Sequence, residues 1–213
     1  MGREELELLK NGVVKRKNKR RVGIFIDGTG LDRATRRLNK KVDLSKLVSS
    51  LTSGLPIEVA RYYTLVPYED DARQFAFLDA VEKAGLEVVT KRLPPKGVKR
   101  QVTVDVLMAT DIVNFCNGGF AAEKISSGIE EKKIVNGNTS SQISKPNNGP
   151  NNGQTKRIVS AVCPSREMSY AIFTCNALGA ETALVDFGLY GQSDGWNGVD
   201  RWVDLSTSET IWR

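Results

Sequence analysis

Asp27, Asp105 and Glu167 are the acids whose placement could do chemistry. Asp27 closes the apolar run VGIFID, and the other two each lie in the first turn of a helical segment that follows an expected strand. Continuous apolar runs of this kind form strands buried on both faces of a parallel sheet, so the three acids are expected along one sheet edge. Like charges gathered there raise one another's pKa unless a cation or an arginine compensates, and a hard divalent ion held by oxygens does so economically. Taken singly, Asp105 and Glu167 are also ordinary first-turn acids favoured by the helix dipole. The chain contains no histidine, which removes imidazole acid/base pairs, Ser/His and Cys/His nucleophiles and His-ligated metals. Catalysis is left to carboxylates, lysines or hydroxyls. The odd set Cys116, Cys163 and Cys175 has no CxxC spacing and reads as reduced thiols. Cys163 lacks the arginine that a phosphatase loop needs six residues on, where Ser169 stands.

Thr29 and Ser165 are supporting candidates beside these acids. Asp111, six residues beyond Asp105, is displaced by about 9 Å of rise and about 120° of rotation on a helix, so the two cannot readily share an ion. Asp111 is expected to orient a lysine or water, or to face solvent. Arg33, Arg36, Arg37 and Lys40 follow Asp27 at i, i+3, i+4 and i+7 and are expected to line one helical face, while Lys99 and Arg100 precede Asp105. With a net charge of +6 and a pI near 9.2, these cations suit the phosphates of RNA.

The elements that must position these groups alternate strand and helix. The 213 residues, 40% of them hydrophobic, suffice for one domain. Residues 1 to 21 form a basic tail. Strand 22 to 27 turns at Gly28 and Gly30 into a helix, and a second helix runs from an Asp43 N-cap to Gly54. Strand 56 to 66 precedes a helix with the apolar stripe Phe75, Leu78 and Val81, stopped by Gly85. Strand 86 to 93 leads to a helix over 102 to 116, with Val104, Leu107, Met108 and Phe115 facing the core. Residues 117 to 155, rich in Asn, Gly and Ser, read as a flexible insertion. Strand 157 to 163, a helix over 165 to 178 and strand 182 to 187 follow. Trp196, Trp202, Val203 and Leu205 are expected to lie across the sheet, before a tail at 207 to 213. This is an α/β fold with a mainly parallel five-stranded sheet and helices on both faces, whose binding crevice lies outside the strand carboxyl ends. No run is long enough to cross a bilayer, and the expected location is the cytoplasm. GTG at 28 to 30 is too short for the phosphate loop of a nucleotide-binding sheet protein.

The segments IFIDGTGL at 24 to 31, VDVLMATDIV at 104 to 113, IVSAVCPSREM at 158 to 168, LGAETALVDFG at 178 to 188 and RWVDL at 201 to 205 resemble the NYN family of PIN-like nucleases, in its LabA-like branch. The resemblance implies a PIN-like three-layer sandwich over 22 to 206 and cleavage of RNA by Mg²⁺ or Mn²⁺ bound to clustered acids, with Asp27 and Asp105 matching the family pattern. Two departures stand out. Gly30 replaces the usual asparagine, and the serine-glycine-aspartate-x-aspartate loop is here Cys163, Pro164, Ser165, Arg166 and Glu167. Two readings stay open: a metal-dependent ribonuclease with the cation on Asp27, Asp105 and Glu167, or a catalytically impaired NYN module that binds RNA or a protein. Self-association as a homo-oligomer is also left open.

Overall fold

The computed structural model describes residues 19–69, 71–120, 155–188, 196 and 198–213. The expected tail up to residue 18 and the insertion from 121 to 154 lie outside the described residues. Strands β1 (Arg20–Asp27), β2 (Ile57–Val66), β3 (Glu87–Arg92), β4 (Lys156–Val162), β5 (Glu181–Asp186) and β6 (Arg201–Asp204) form one sheet in the order β3-β2-β1-β4-β5-β6. Every neighbouring pair is parallel. Helices α1 (Gly28–Arg37), α2 (Leu44–Thr52), α3 (Ala72–Lys83), α4 (Asp105–Cys116) and α5 (Ser169–Ala177) connect them.

The interiors of the central strands, residues 22–26 and 158–162, are apolar but for Ser160 because both of their faces are covered. Ile24 and Ile26 of β1 pack with Leu31, Leu47 and Val81 of α1, α2 and α3. Phe25 enters the opposite cluster, with Met108, Ile112 and Phe115 of α4 and Ile172 of α5. Alternation along one strand thus feeds two cores, which makes the three-layer arrangement obligatory.

Several expectations change. The sheet has six strands rather than five, because Arg201–Asp204 pairs with β5 as an edge strand instead of lying across the sheet. Its four residues are too few to show a period. Residues 207 to 213 are not a tail: Ile211 is fully buried, its carbonyl accepts the Asp43 N–H at 2.8 Å, and Trp212 bridges Val42. Arg20 and Arg21 belong to β1, with Arg20 paired to Glu181 at 2.8 Å. In α4 the core position expected of Leu107 is taken by Ile112, completing the spacing Val104, Met108, Ile112, Phe115, and Leu107 is exposed. Phe75 is likewise exposed, since only Val81 of α3 is buried.

Helix α1 begins directly at Gly28, where a turn was expected. The Asp27 side chain caps it, accepting the Thr29 and Gly30 backbone N–H at 2.9 and 3.1 Å. Capping satisfies donors that the first turn leaves unpaired and so offsets the poor helix propensity of two glycines.

Candidate acidic crevice

Strand order reverses between β1 and β4, so the crevice of this sheet opens outside their carboxyl ends. Asp27 ends β1 there, and Cys163 follows β4. The two sides approach closely: a Cβ on Gly30 would stand 2.2 Å from the Cys163 carbonyl oxygen. Glycine at 30 is therefore required by space.

Asp27 is 7% exposed. Burial pushes its pKa upward, the Gly30 and Thr29 N–H groups oppose the rise, nearby Asp105 adds to it and Arg33 counters it, with a net upward shift. Asp105 is half-buried at the first position of α4. The structure thus brings Asp27 and Asp105 into one electrostatic site. Glu167 does not complete it: it is exposed on a single 3-10 turn, Arg166–Met168. Among the described residues, no three His, Cys, Asp or Glu side chains meet in a way that could hold a metal ion. The donor set therefore does not fit the cation expected on Asp27, Asp105 and Glu167.

A carboxylate that sequence reasoning passed over stands farther along the same edge. Asp186 ends β5, is 5% exposed and accepts the Phe187 backbone N–H at 2.7 Å. Its pKa is raised by burial, opposed by that N–H, and raised further by Asp204, its register partner on β6. Cys163 lies between the two acids: burial first, then Asp186 and Asp27, push its thiol well above the ordinary range. That makes it a poor nucleophile. LVDF at 184 to 187 carries the signal of IFID at 24 to 27, an apolar run closed by an acid. Beside Asp186 is a cavity of about 240 Å³ lined by Arg33, Ser165, Arg166 and Trp196. The buried Ser165 Oγ has no hydrogen-bond partner among the described residues.

Asp111 is engaged by β2 rather than by a lysine. It accepts the Tyr63 hydroxyl at 2.7 Å and an ion pair from Arg61 at 2.8 Å, and so ties α4 to β2. Nor do the cations after Asp27 share one face. Arg33 reaches the Asp186 cavity, whereas Arg36 and Lys40 line a separate cleft together with Thr29, and α1 ends at Arg37, before Lys40. Arg37, Lys99 and Arg100 are exposed.

A parallel doubly wound sheet with paired acids at its switch point is the frame of a PIN-like α/β protein. Residues 21–122 match the family model of the NYN domain. That match runs from β1 through α4, with Asp27 and Asp105, and ends before Ser165 and Glu167. The crystal structure of a protein of unknown function from Vibrio parahaemolyticus has the same fold, with a TM-score of 0.61 at 12% identity over 92% of this chain and 98% of that one. No protein of curated function matches the sequence. Among the described residues no helix is long and apolar enough to cross a membrane.

Proposed function

We propose that the chain is an RNA-binding NYN module of the LabA-like branch, acting in the cytoplasm, whose acid centre is too incomplete for efficient phosphodiester hydrolysis. The observation that carries this reading is that Glu167 is exposed and that, among the described residues, no third ligating side chain joins Asp27 and Asp105 in a group that could hold a metal ion. The basic balance of the chain supports the polyanion partner. A second reading, a ribonuclease dependent on Mg²⁺ or Mn²⁺, is favoured by the buried Asp27 carboxyl with its raised pKa beside Asp105.

Incubating a short single-stranded RNA with the protein and Mn²⁺ tests both. The expected result is binding without cleavage, with affinity falling steeply as salt rises. Cleavage by the wild type that Asp27→Asn abolishes would overturn the first reading in favour of the second. Cleavage that survives the substitution would point to a contaminant.

A further inference from the structure

The larger cleft of the molecule lies on the opposite face of the sheet from Asp186, among α1, β2 and α3. Its volume is about 760 Å³, within the range of small-ligand sites. Leu31, Leu44 and Leu65 contribute apolar surface. Tyr62 and Phe77 meet edge to face inside it with ring centroids 6.0 Å apart, and Phe77 is 42% exposed. A half-exposed ring braced against a buried one is a platform with a face left to stack on.

The rim is mainly cationic. Arg36, Lys40, Lys41 and Arg213 line the cleft, and the acid among its lining residues, Asp32, is already paired with Arg36 at 3.0 Å. Trp212 and Arg213 hold this rim in place. The Arg213 N–H donates to the Lys41 carbonyl at 3.0 Å, and the Lys40 ammonium stands 4.8 Å from the centre of the Trp212 ring. The inner end of the cleft reaches Gly28 and Thr29, next to Asp27. Close packing fixes that junction, since a Cβ on Gly28 would fall 2.4 Å from the Tyr62 ring.

The aromatic platform and the cationic rim, at a cleft whose inner end lies next to Asp27 in the chain, together specify an occupant with a flat ring and a phosphate. We infer that this cleft is a nucleotide subsite for single-stranded RNA, stacking one base on Phe77 and holding the adjoining phosphate with Lys41 and Arg213. The inference rests on the RNA-binding reading and deepens it by naming where a strand lies as it approaches Asp27. A purely apolar ligand would leave the cationic rim unused, and an acidic peptide would leave the ring platform unused.

The test measures binding of a fluorescent oligouridylate by anisotropy, alongside binding of adenosine 5′-monophosphate by quenching of intrinsic fluorescence. Phe77→Ala should weaken RNA binding roughly tenfold, and Phe77→Leu, which keeps apolar bulk and so guards against misfolding, should weaken it nearly as much. Lys41→Ala should lower the slope of log affinity against log salt by about one. If RNA binds the variants as it binds the wild type, the cleft assignment is wrong while the RNA reading stands. If RNA fails to bind but the mononucleotide quenches the wild type and not Phe77→Ala, the cleft is a nucleotide site and the RNA reading falls. Binding of neither overturns both, and displacement of RNA by polyglutamate as effective as by polyuridylate would show that the cleft reads charge alone and overturn the subsite.

Discussion

Two aspartates near the same sheet, Asp111 and Asp27, live under opposite conditions. Asp111 is met by donors from β2: the Tyr63 hydroxyl at 2.7 Å and the Arg61 guanidinium at 2.8 Å. Arg61 is held in turn by two bonds to Glu87, at 2.9 and 3.0 Å. Burial works against the Arg61 charge, yet the Glu87 and Asp111 hydrogen bonds keep its pKa above the usual value. Asp27 has two backbone N–H groups, the partial countercharge of Arg33, and another carboxyl, Asp105, within electrostatic reach. An acid placed for architecture is surrounded by complementary groups, whereas one left beside its own kind marks a site where something else is meant to compensate.

Removing Asp111 gives the largest effect and puts the architectural half of the comparison at risk. Asp111→Ala leaves the Tyr63 hydroxyl and one side of Arg61 without their partner in a largely enclosed space, and should lower stability by about 2 to 3 kcal/mol. Chemical denaturation reads this as a fall in midpoint with an unchanged slope. RNA binding at temperatures where the variant is folded should be unaltered. A variant as stable as the wild type would show that the Arg61–Asp111 pair does nothing for the fold, and the contrast with Asp27 would dissolve.

The next effect sharpens the other half. Gly30→Ala drives a Cβ toward the Cys163 carbonyl, and both atoms belong to backbone that cannot swing aside. The expected loss is about 1 to 3 kcal/mol, the cost of overpacking. Gly30→Asn, which restores the residue usual in the family pattern, meets the same obstacle. It should destabilise comparably without conferring Mn²⁺-dependent cleavage, measured by the RNA assay above. Efficient cleavage by Gly30→Asn would instead identify position 30 as the reason for impairment.

These contrasts explain what the sequence disclosed. β1, β4 and β5 were legible because strands covered on both faces are apolar along most of their length, β2 was legible from its β-branched and aromatic residues, and Asp27 was legible because it breaks an apolar run where the strand ends. Asp186 carried the same signal inside the resembling segment LGAETALVDFG, but the acids matched to the family pattern were Asp27 and Asp105, and nothing in the spacing set Asp186 apart from an ordinary strand end. Glu167 has suitable chain spacing, yet a 3-10 turn, which spacing does not distinguish from an α-helical one, leaves it exposed. Phe75 was read as core from its type, but α3 buries only Val81. The cleft beside Phe77 was invisible for a different reason: Lys41, Tyr62, Phe77 and Arg213 come from four parts of the chain, and no local pattern links them.

The smallest effect tests Asp27 itself, and its sign is opposite to the first two. Asparagine keeps an oxygen that can accept the Thr29 and Gly30 N–H groups, so Asp27→Asn preserves the helix cap while removing a buried charge next to Asp105. The folded pKa of Asp27 lies above its ordinary value of 3.8, so between those two values the native state holds more protons than the unfolded state. Stability therefore declines as pH rises through that window, and the decline is complete above the folded value. Asp27→Asn has no such decline. At neutral pH it should be the more stable protein, and the advantage should vanish below pH 3.8. Thermal melts of the two proteins across pH measure the difference directly. A constant offset at every pH would mean that Asp27 titrates as an ordinary surface cap, and the crevice would lose the feature that separates it from the paired acid on α4.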